Sequence, residues 1–118
     1  MYFFDSYAIV EILKRNPAYR KYDEYPAILT ILNKMEICWW ALNNHDENLM
    51  IAVLNMFSQP ALVDDDTLKD AILLRKKYIK RKLSYVDAIG YTYAQKNNLL
   101  FLTGDEQFKD LPGVEFVK

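Results

Sequence analysis

Four acidic residues stand where acids are out of place. Asp5 directly follows the aromatic run Tyr2-Phe3-Phe4, and Asp105 closely follows the apolar residues 99–102. Glu36 sits in Met35-Glu36-Ile37-Cys38-Trp39-Trp40, with Leu32 and Trp40 one turn to either side on its own helix face. Asp87 lies in Ser84-Tyr85-Val86-Asp87-Ala88-Ile89, among mostly apolar neighbours. Converging carboxylates repel, and at least one pKa must rise unless a cation intervenes. A hard divalent ion removes the conflict, since Mg²⁺ or Mn²⁺ prefers oxygen ligands, keeps several waters and bridges to a substrate phosphate. There it activates water and stabilises a phosphate under in-line attack, chemistry that needs acids and no histidine.

Each acid also has an ordinary structural use. Asp5 can cap a helix with Ser6, Asp87 can complete a capping-box-like pair with Ser84, and Asp105 can cap the turn Glu106-Gln107-Phe108. Glu36 resists such a reading best, because a buried Glu is rare without a partner and Lys34, two residues away, faces elsewhere. A second acidic group, Asp64-Asp65-Asp66, reads as a solvated helix start, where acids are stabilising without any ligand. The chain has no glycine-rich phosphate loop, no Gly-x-Ser-x-Gly elbow and no His/Cys cluster, and its one histidine, His45, reads as a helix cap.

The elements that must position these acids follow from periodicity and punctuation. Tyr2-Phe3-Phe4 reads as a buried strand running into a helix through Ile9, Ile12 and Leu13, which Asn16-Pro17 stops. Residues 19–25, rich in tyrosine and charge, form a connection. Residues 27–30 are strand-compatible, and Ile31, Leu32, Met35, Trp39 and Leu42 then recur as a helix ended by Asn43-Asn44. His45-Asp46 caps a further helix through Leu49, Val53, Met56 and Phe57. Ala61-Leu62-Val63 is a short strand candidate before a long helix with acids at its start and bases in its last turns. Ser84 opens another helix, residues 99–102 make a buried strand, and residues 114–117 an edge strand. Such alternation predicts an α/β domain over residues 1–118, with a mostly parallel central sheet and helices on both faces. Ligands in these sheets sit at the carboxyl ends of the strands, where Asp5 and Asp105 should project.

The chain has 118 residues, 52% apolar and 26% charged, the balance of one core-forming domain and not of a disordered tail. Its lone Cys38 excludes an internal disulfide and a cysteine zinc site. The opening Met-Tyr-Phe-Phe-Asp lacks a signal peptide's basic and apolar regions, and no run approaches the roughly 20 apolar residues that span a bilayer. A cytoplasmic location is expected. Sixteen acids, fifteen bases and one histidine leave a formal charge of -1, without a global pull toward nucleic acid. Six bases nevertheless crowd residues 75–82. Among them Arg75, Lys76, Lys80 and Arg81 are candidate contacts to an RNA backbone, the alternative being a solubilising helix end.

Taken in order, the acids and their surroundings resemble the PIN-domain family of metal-dependent ribonucleases, especially its small VapC-type toxins. The resemblance runs through Tyr2-Phe3-Phe4-Asp5-Ser6, residues 28–36 ending in Glu36, Leu83-Ser84-Tyr85-Val86-Asp87-Ala88-Ile89, and Thr103-Gly104-Asp105-Glu106-Gln107-Phe108 followed by Leu111-Pro112-Gly113-Val114. Gly90-Tyr91 and Lys34 depart from the usual pattern. The resemblance implies an endoribonuclease whose Asp5, Asp87 and Asp105 hold Mg²⁺ or Mn²⁺, directly or through water. Glu36 would bind a second ion or orient the attacking water, and Ser6 and Thr103 would direct the carboxylates by hydrogen bonds. It also implies an RNA substrate, a homodimer and an inhibitory antitoxin. An RNA maturation or decay nuclease without antitoxin, and a catalytically silent binding module, are the alternatives. Tyr7, Tyr19, Tyr22, Tyr25, Trp39 and Trp40 are candidate interface residues, large aromatics with polar tips being enriched there. Trp39 and Trp40 lie about 100° apart on a helix, so both cannot face one core.

Overall fold

Three short strands carry the sheet: β1 (Tyr2–Phe4), β2 (Leu100–Thr103) and β3 (Val114–Phe116), parallel and ordered β1-β2-β3. The computed structural model describes residues 1–118 throughout. Parallel neighbours need long crossovers, and the one from β1 to β2 takes in every long helix: α1 (Ser6–Leu13), α2 (Ile31–Asn44), α3 (Glu47–Met56), α4 (Asp65–Lys77) and α5 (Tyr85–Lys96).

Beyond β1 the parallel order continues as two single bridges, Phe3 to Ile28 and Thr30 to Ala61. The strands expected at residues 27–30 and 61–63 therefore shrink to isolated bridges, at Ile28 and Thr30 in the first and at Ala61 in the second. The sequence explains part of this: Pro26 and Pro60 offer no N–H at the entrance to either segment. At the exit of the first, the Thr30 N–H is taken by Asn33 Oδ1 at 3.1 Å instead of extending a ladder. Thr30 and Asn33 form a capping box that starts α2 at this point.

Alternation along the strands assigns the two faces. Phe3 and Phe101 pair in register and stack at 5.7 Å on the side of α5, with Tyr91 and Phe108 closing around Phe101. A Cβ on Gly90 would stand 2.9 Å from the Phe3 ring, so the small residue lets α5 sit directly on the sheet. Tyr2 and Phe4 point the other way, toward α1 and a 3-10 helix at Pro17–Glu24, where Tyr2 and Tyr22 meet edge-on at 5.2 Å. That 3-10 helix is the tyrosine-rich connection, begun by Asn16 and Pro17. Its Tyr19 and Tyr22 are buried, so two of the aromatic interface candidates belong to the core. Burying an aromatic contributes roughly 1.5–3 kcal/mol, so Phe101→Ala should cost at least that much.

The outer helices carry α4 against α5 and α3 against α2. Asp64 caps α4 through the Thr67 N–H at 2.8 Å, and Asp65 and Asp66 lie exposed in its first turn. Only part of the basic run belongs to α4. Arg75, Lys76 and Lys77 end it, Tyr78 leaves helical geometry, and Lys80 and Arg81 stand on a separate 3-10 helix, Ile79–Arg81. Exposed His45 closes α2 and packs edge-on against Trp40 at 5.3 Å, while Trp39 is 69% exposed. No helix is long and apolar enough to cross a membrane.

Candidate active site

The carboxyl ends of β1 and β2 bring Asp5 and Thr103 together across 98 residues of chain. Asp5 is 4% exposed and serves two elements at once. One oxygen accepts the Ser6 N–H at 2.8 Å, which caps α1, and the other accepts the Thr103 hydroxyl at 2.7 Å. Thr103 Oγ1 accepts in turn from the Asp105 N–H at 3.0 Å. The hydroxyl thereby orients the Asp5 carboxylate and fixes the backbone of Asp105.

A second chain of bonds reaches Glu36. Ser6 Oγ donates to Glu36 Oε1 at 2.6 Å, and Asn33 Nδ2 donates to Ser6 Oγ at 3.0 Å. Asn33 is 1% exposed and joins the capping box of α2 to Ser6. It was not among the residues singled out by sequence, although its signal was present: a polar side chain three residues before Glu36, on the same helix face. Glu36 itself is exposed, not the buried charge its apolar surroundings suggested, because Met35 and Trp39 beside it also face solvent.

Asp87 and Asp105 complete the ring from two other helix starts. Asp87 accepts the Ser84 N–H at 3.0 Å while donating its own N–H to Ser84 Oγ at 3.0 Å, a reciprocal box at the head of α5. Asp105 accepts the Gln107 N–H at 3.0 Å and starts the short 3-10 helix Glu106–Phe108. Capping and chemistry were alternatives for these acids in the sequence. In the fold Asp5 and Asp105 are caps and Asp87 completes a capping box, and the same residues stand close enough to Glu36 or to one another to feel each other's charge.

The electrostatics follow from that placement. Burial, foremost, pushes the Asp5 carboxyl up to about 7 against the pull of the Thr103 and Ser6 bonds, and the charges of Asp87 and Glu36 push it further. Burial also raises Asp87, helped by the charge of Asp105; Glu36 is exposed as a residue, but loss of water around its carboxyl group raises it too, helped by Asp87. No cation answers them: the salt bridges of the molecule are Lys14–Glu11, Arg81–Asp110, Lys96–Asp70 and Lys118–Glu106. No trio of His, Cys, Asp or Glu side chains is drawn together tightly enough to form a ready-made ligand set. The donors that face one another are nonetheless all oxygens and mutually repelling. They fit a hydrated Mg²⁺ or Mn²⁺, which is held through one or two carboxylates and retained water.

The basic residues lie apart from this ring. Arg75 donates from Nε to the Leu83 carbonyl at 2.9 Å and lies 4.2 Å over the Tyr85 ring. Arg81 forms a two-pronged pair with Asp110 at 2.7 and 3.0 Å. Lys76 and Lys80 are exposed and make no salt bridge.

Comparison with known proteins places these features in context. The family model described as PIN domain matches residues 2–114. No curated protein sequence matches the chain. Among solved structures, the fold is similar to a chain of a toxin-antitoxin complex from Klebsiella pneumoniae, with a TM-score of 0.77 and 23% identity over 98% of this chain and 96% of that one. It is also similar to VapC20 of Mycobacterium tuberculosis, a toxin that cleaves the sarcin-ricin loop, with a TM-score of 0.81 and 15% identity over 99% and 97% of the two chains. At these identities the likeness is one of fold.

Proposed function

The chain belongs to the PIN domain family, and on that premise we propose that residues 1–118 form one nuclease domain that hydrolyses RNA phosphodiester bonds with the help of Mg²⁺ or Mn²⁺. The observation that carries this reading is the ring of Asp5, Glu36, Asp87 and Asp105 at the strand ends, each raised or raising a neighbour, with no protein cation among them. Asp5, Asp87 and Asp105 would hold the ion directly or through water, and Glu36 would hold a second ion or orient water. When bound, the metal supplies an activated water and offsets charge on the phosphate. Ser6 and Thr103 keep the carboxylates aimed, and Asn33 holds Ser6. Lys76 and Lys80, unpaired and exposed, are the better placed of the basic residues to neutralise an RNA backbone.

We further propose that the protein is the toxin of a toxin–antitoxin pair and acts in the cytoplasm as a homodimer. The likeness in fold to toxin chains supports the first part. Ile31, Met35, Trp39 and Leu42 form an exposed apolar stripe along α2, which supports a second copy at that face. A groove of about 390 Å³, lined by Ile9, Ile12, Leu13, Tyr25 and Met56 among others, suits an extended apolar segment such as an antitoxin would supply. The test is cleavage of single-stranded RNA by pure protein with Mn²⁺ and with EDTA. Metal-dependent cleavage, lost in Asp105→Asn with an unchanged far-UV circular dichroism spectrum, is expected. Full activity in that variant or in EDTA would overturn the assignment.

A further inference from the structure

Arg81 came out of the sequence as one of six bases in a run, a candidate phosphate contact. Its surroundings give it a different task. The guanidinium donates from Nη1 and Nη2 to the two carboxylate oxygens of Asp110, at 2.7 and 3.0 Å, and Nη1 also donates to the Gln107 carbonyl at 2.9 Å. The Tyr78 ring lies beneath it at 5.0 Å. A positive charge so closely matched by Asp110 presents little field to a distant phosphate. A planar fork bound to a carboxylate and a carbonyl instead fixes geometry in a way that a point charge does not.

The two ends of this fork lie at informative places. Arg81 ends the 3-10 helix that leads through Leu83 into the Ser84–Asp87 capping box. Gln107 belongs to the turn begun by Asp105, and its N–H is the donor that Asp105 Oδ1 accepts. Phe108 in the same turn is fully buried, so the turn pivots on a fixed point. Arg81 thus ties the approach to one acid to the support of another, and those two acids feel each other's charge.

We propose that Arg81 is a positioning residue, which with Asp110 sets the placement of Asp105 relative to Asp87 and thereby the metal-binding geometry of the cleft. The inference rests on the metal-dependent reading above, and its test separates the two. Asp110→Asn and Arg81→Lys are compared with the full wild-type chain. Asp110→Asn removes a negative charge, so a phosphate-contact role for Arg81 predicts RNA binding in EDTA as tight as wild type or tighter, with metal binding untouched. Positioning predicts Mn²⁺ affinity, measured by calorimetry with Mn²⁺ alone, weaker by roughly tenfold, the usual scale for residues that orient ligands. Arg81→Lys, which keeps the charge and loses the fork, should weaken it to a similar degree. In metal-free protein the Gln107 and Phe108 amides should exchange faster in both variants. Unchanged exchange overturns the proposal, and so does faster exchange with wild-type Mn²⁺ affinity. A wild-type chain that takes up no Mn²⁺ overturns the metal reading instead, and amide exchange still decides whether Arg81 holds the turn.

Discussion

The molecule treats its carboxylates in two opposite ways. Around the periphery, Asp70 accepts from Lys96 at 2.8 Å, Asp110 from Arg81, and Asp64 from Thr67 in the first turn of α4, and each is held below the ordinary aspartate range chiefly by those bonds. In the cleft Asp5, Glu36 and Asp87 find only hydroxyls and backbone N–H groups, and loss of water around the carboxyl groups drives all three upward. The protein does not lack cations, since fifteen bases face sixteen acids. Hydroxyls and amides orient a carboxylate without cancelling its charge, and the cleft is where charge is left uncancelled. That is the condition under which a divalent ion binds.

The contrast is sharpest for activity. Asp87→Asn should lower RNA cleavage roughly a hundred- to ten-thousandfold, the range for losing a group that acts in the transition state, while Asp70→Asn leaves it unchanged. Comparable losses in both would erase the distinction, and single-turnover cleavage at saturating Mn²⁺ measures it.

Stability against pH should differ in sign between the two regions. Asp5 has a folded-state pKa raised to about 7, so its contribution is fully present below the ordinary aspartate value and is lost as pH rises toward and through 7. The peripheral acids are lowered, so their contribution is present above the ordinary value and is lost as pH falls below it. Metal-free protein should therefore melt several degrees lower at pH 8 than at pH 5.5, and Asp5→Asn should flatten that slope. Mn²⁺ should restore the midpoint at pH 8, about 2.7 kcal/mol being available at a hundred times Kd. Equal midpoints with Mn²⁺ and EDTA would sink the cleft's distinction. Below pH 4 the order should invert, as the peripheral pairs protonate.

Smaller effects concern the surfaces. Lys76→Glu with Lys80→Glu should weaken RNA binding by a few fold and flatten its salt dependence by up to about two phosphates' worth. An unchanged slope would show that these lysines only solvate the helix end. Trp39→Arg should move the protein from dimer toward monomer in light scattering, and a wild type that is monomeric at tens of micromolar would remove the dimer proposal. The smallest change expected is in the melting midpoint of Asp70→Asn, a degree or so, since exposed ion pairs contribute little.

Features with a local cause were readable from sequence alone. β1 running into the Asp5-Ser6 cap, the Ser84–Asp87 box and the Asp105 turn are each written within a few consecutive residues. What escaped depends on distant partners. Asn33 meets Ser6 across 27 positions and Arg81 meets Asp110 across 29, and nothing in either neighbourhood names the other. The reduction of residues 61–63 to one bridge, and the exit of Lys80 and Arg81 from α4, are decided by tertiary packing that overrides periodicity. Gly90, which departs from the family pattern, has its reason only in the Phe3 ring beside it.

The bond from Thr103 to Asp5 also sets a time order. Every strand pairing of β1 with β2 joins residues 98 apart, and no hairpin offers a local start to the sheet. Folds dominated by such distant pairings close late and slowly. A chain emerging from the ribosome with Asp5, Glu36 and Asp87 already made still has no ring, because Thr103 and Asp105 are missing. On the proposed reading, a chain that stops short of Thr103 and Asp105 should therefore show no metal-dependent RNA cleavage, whatever it already holds of the other acids.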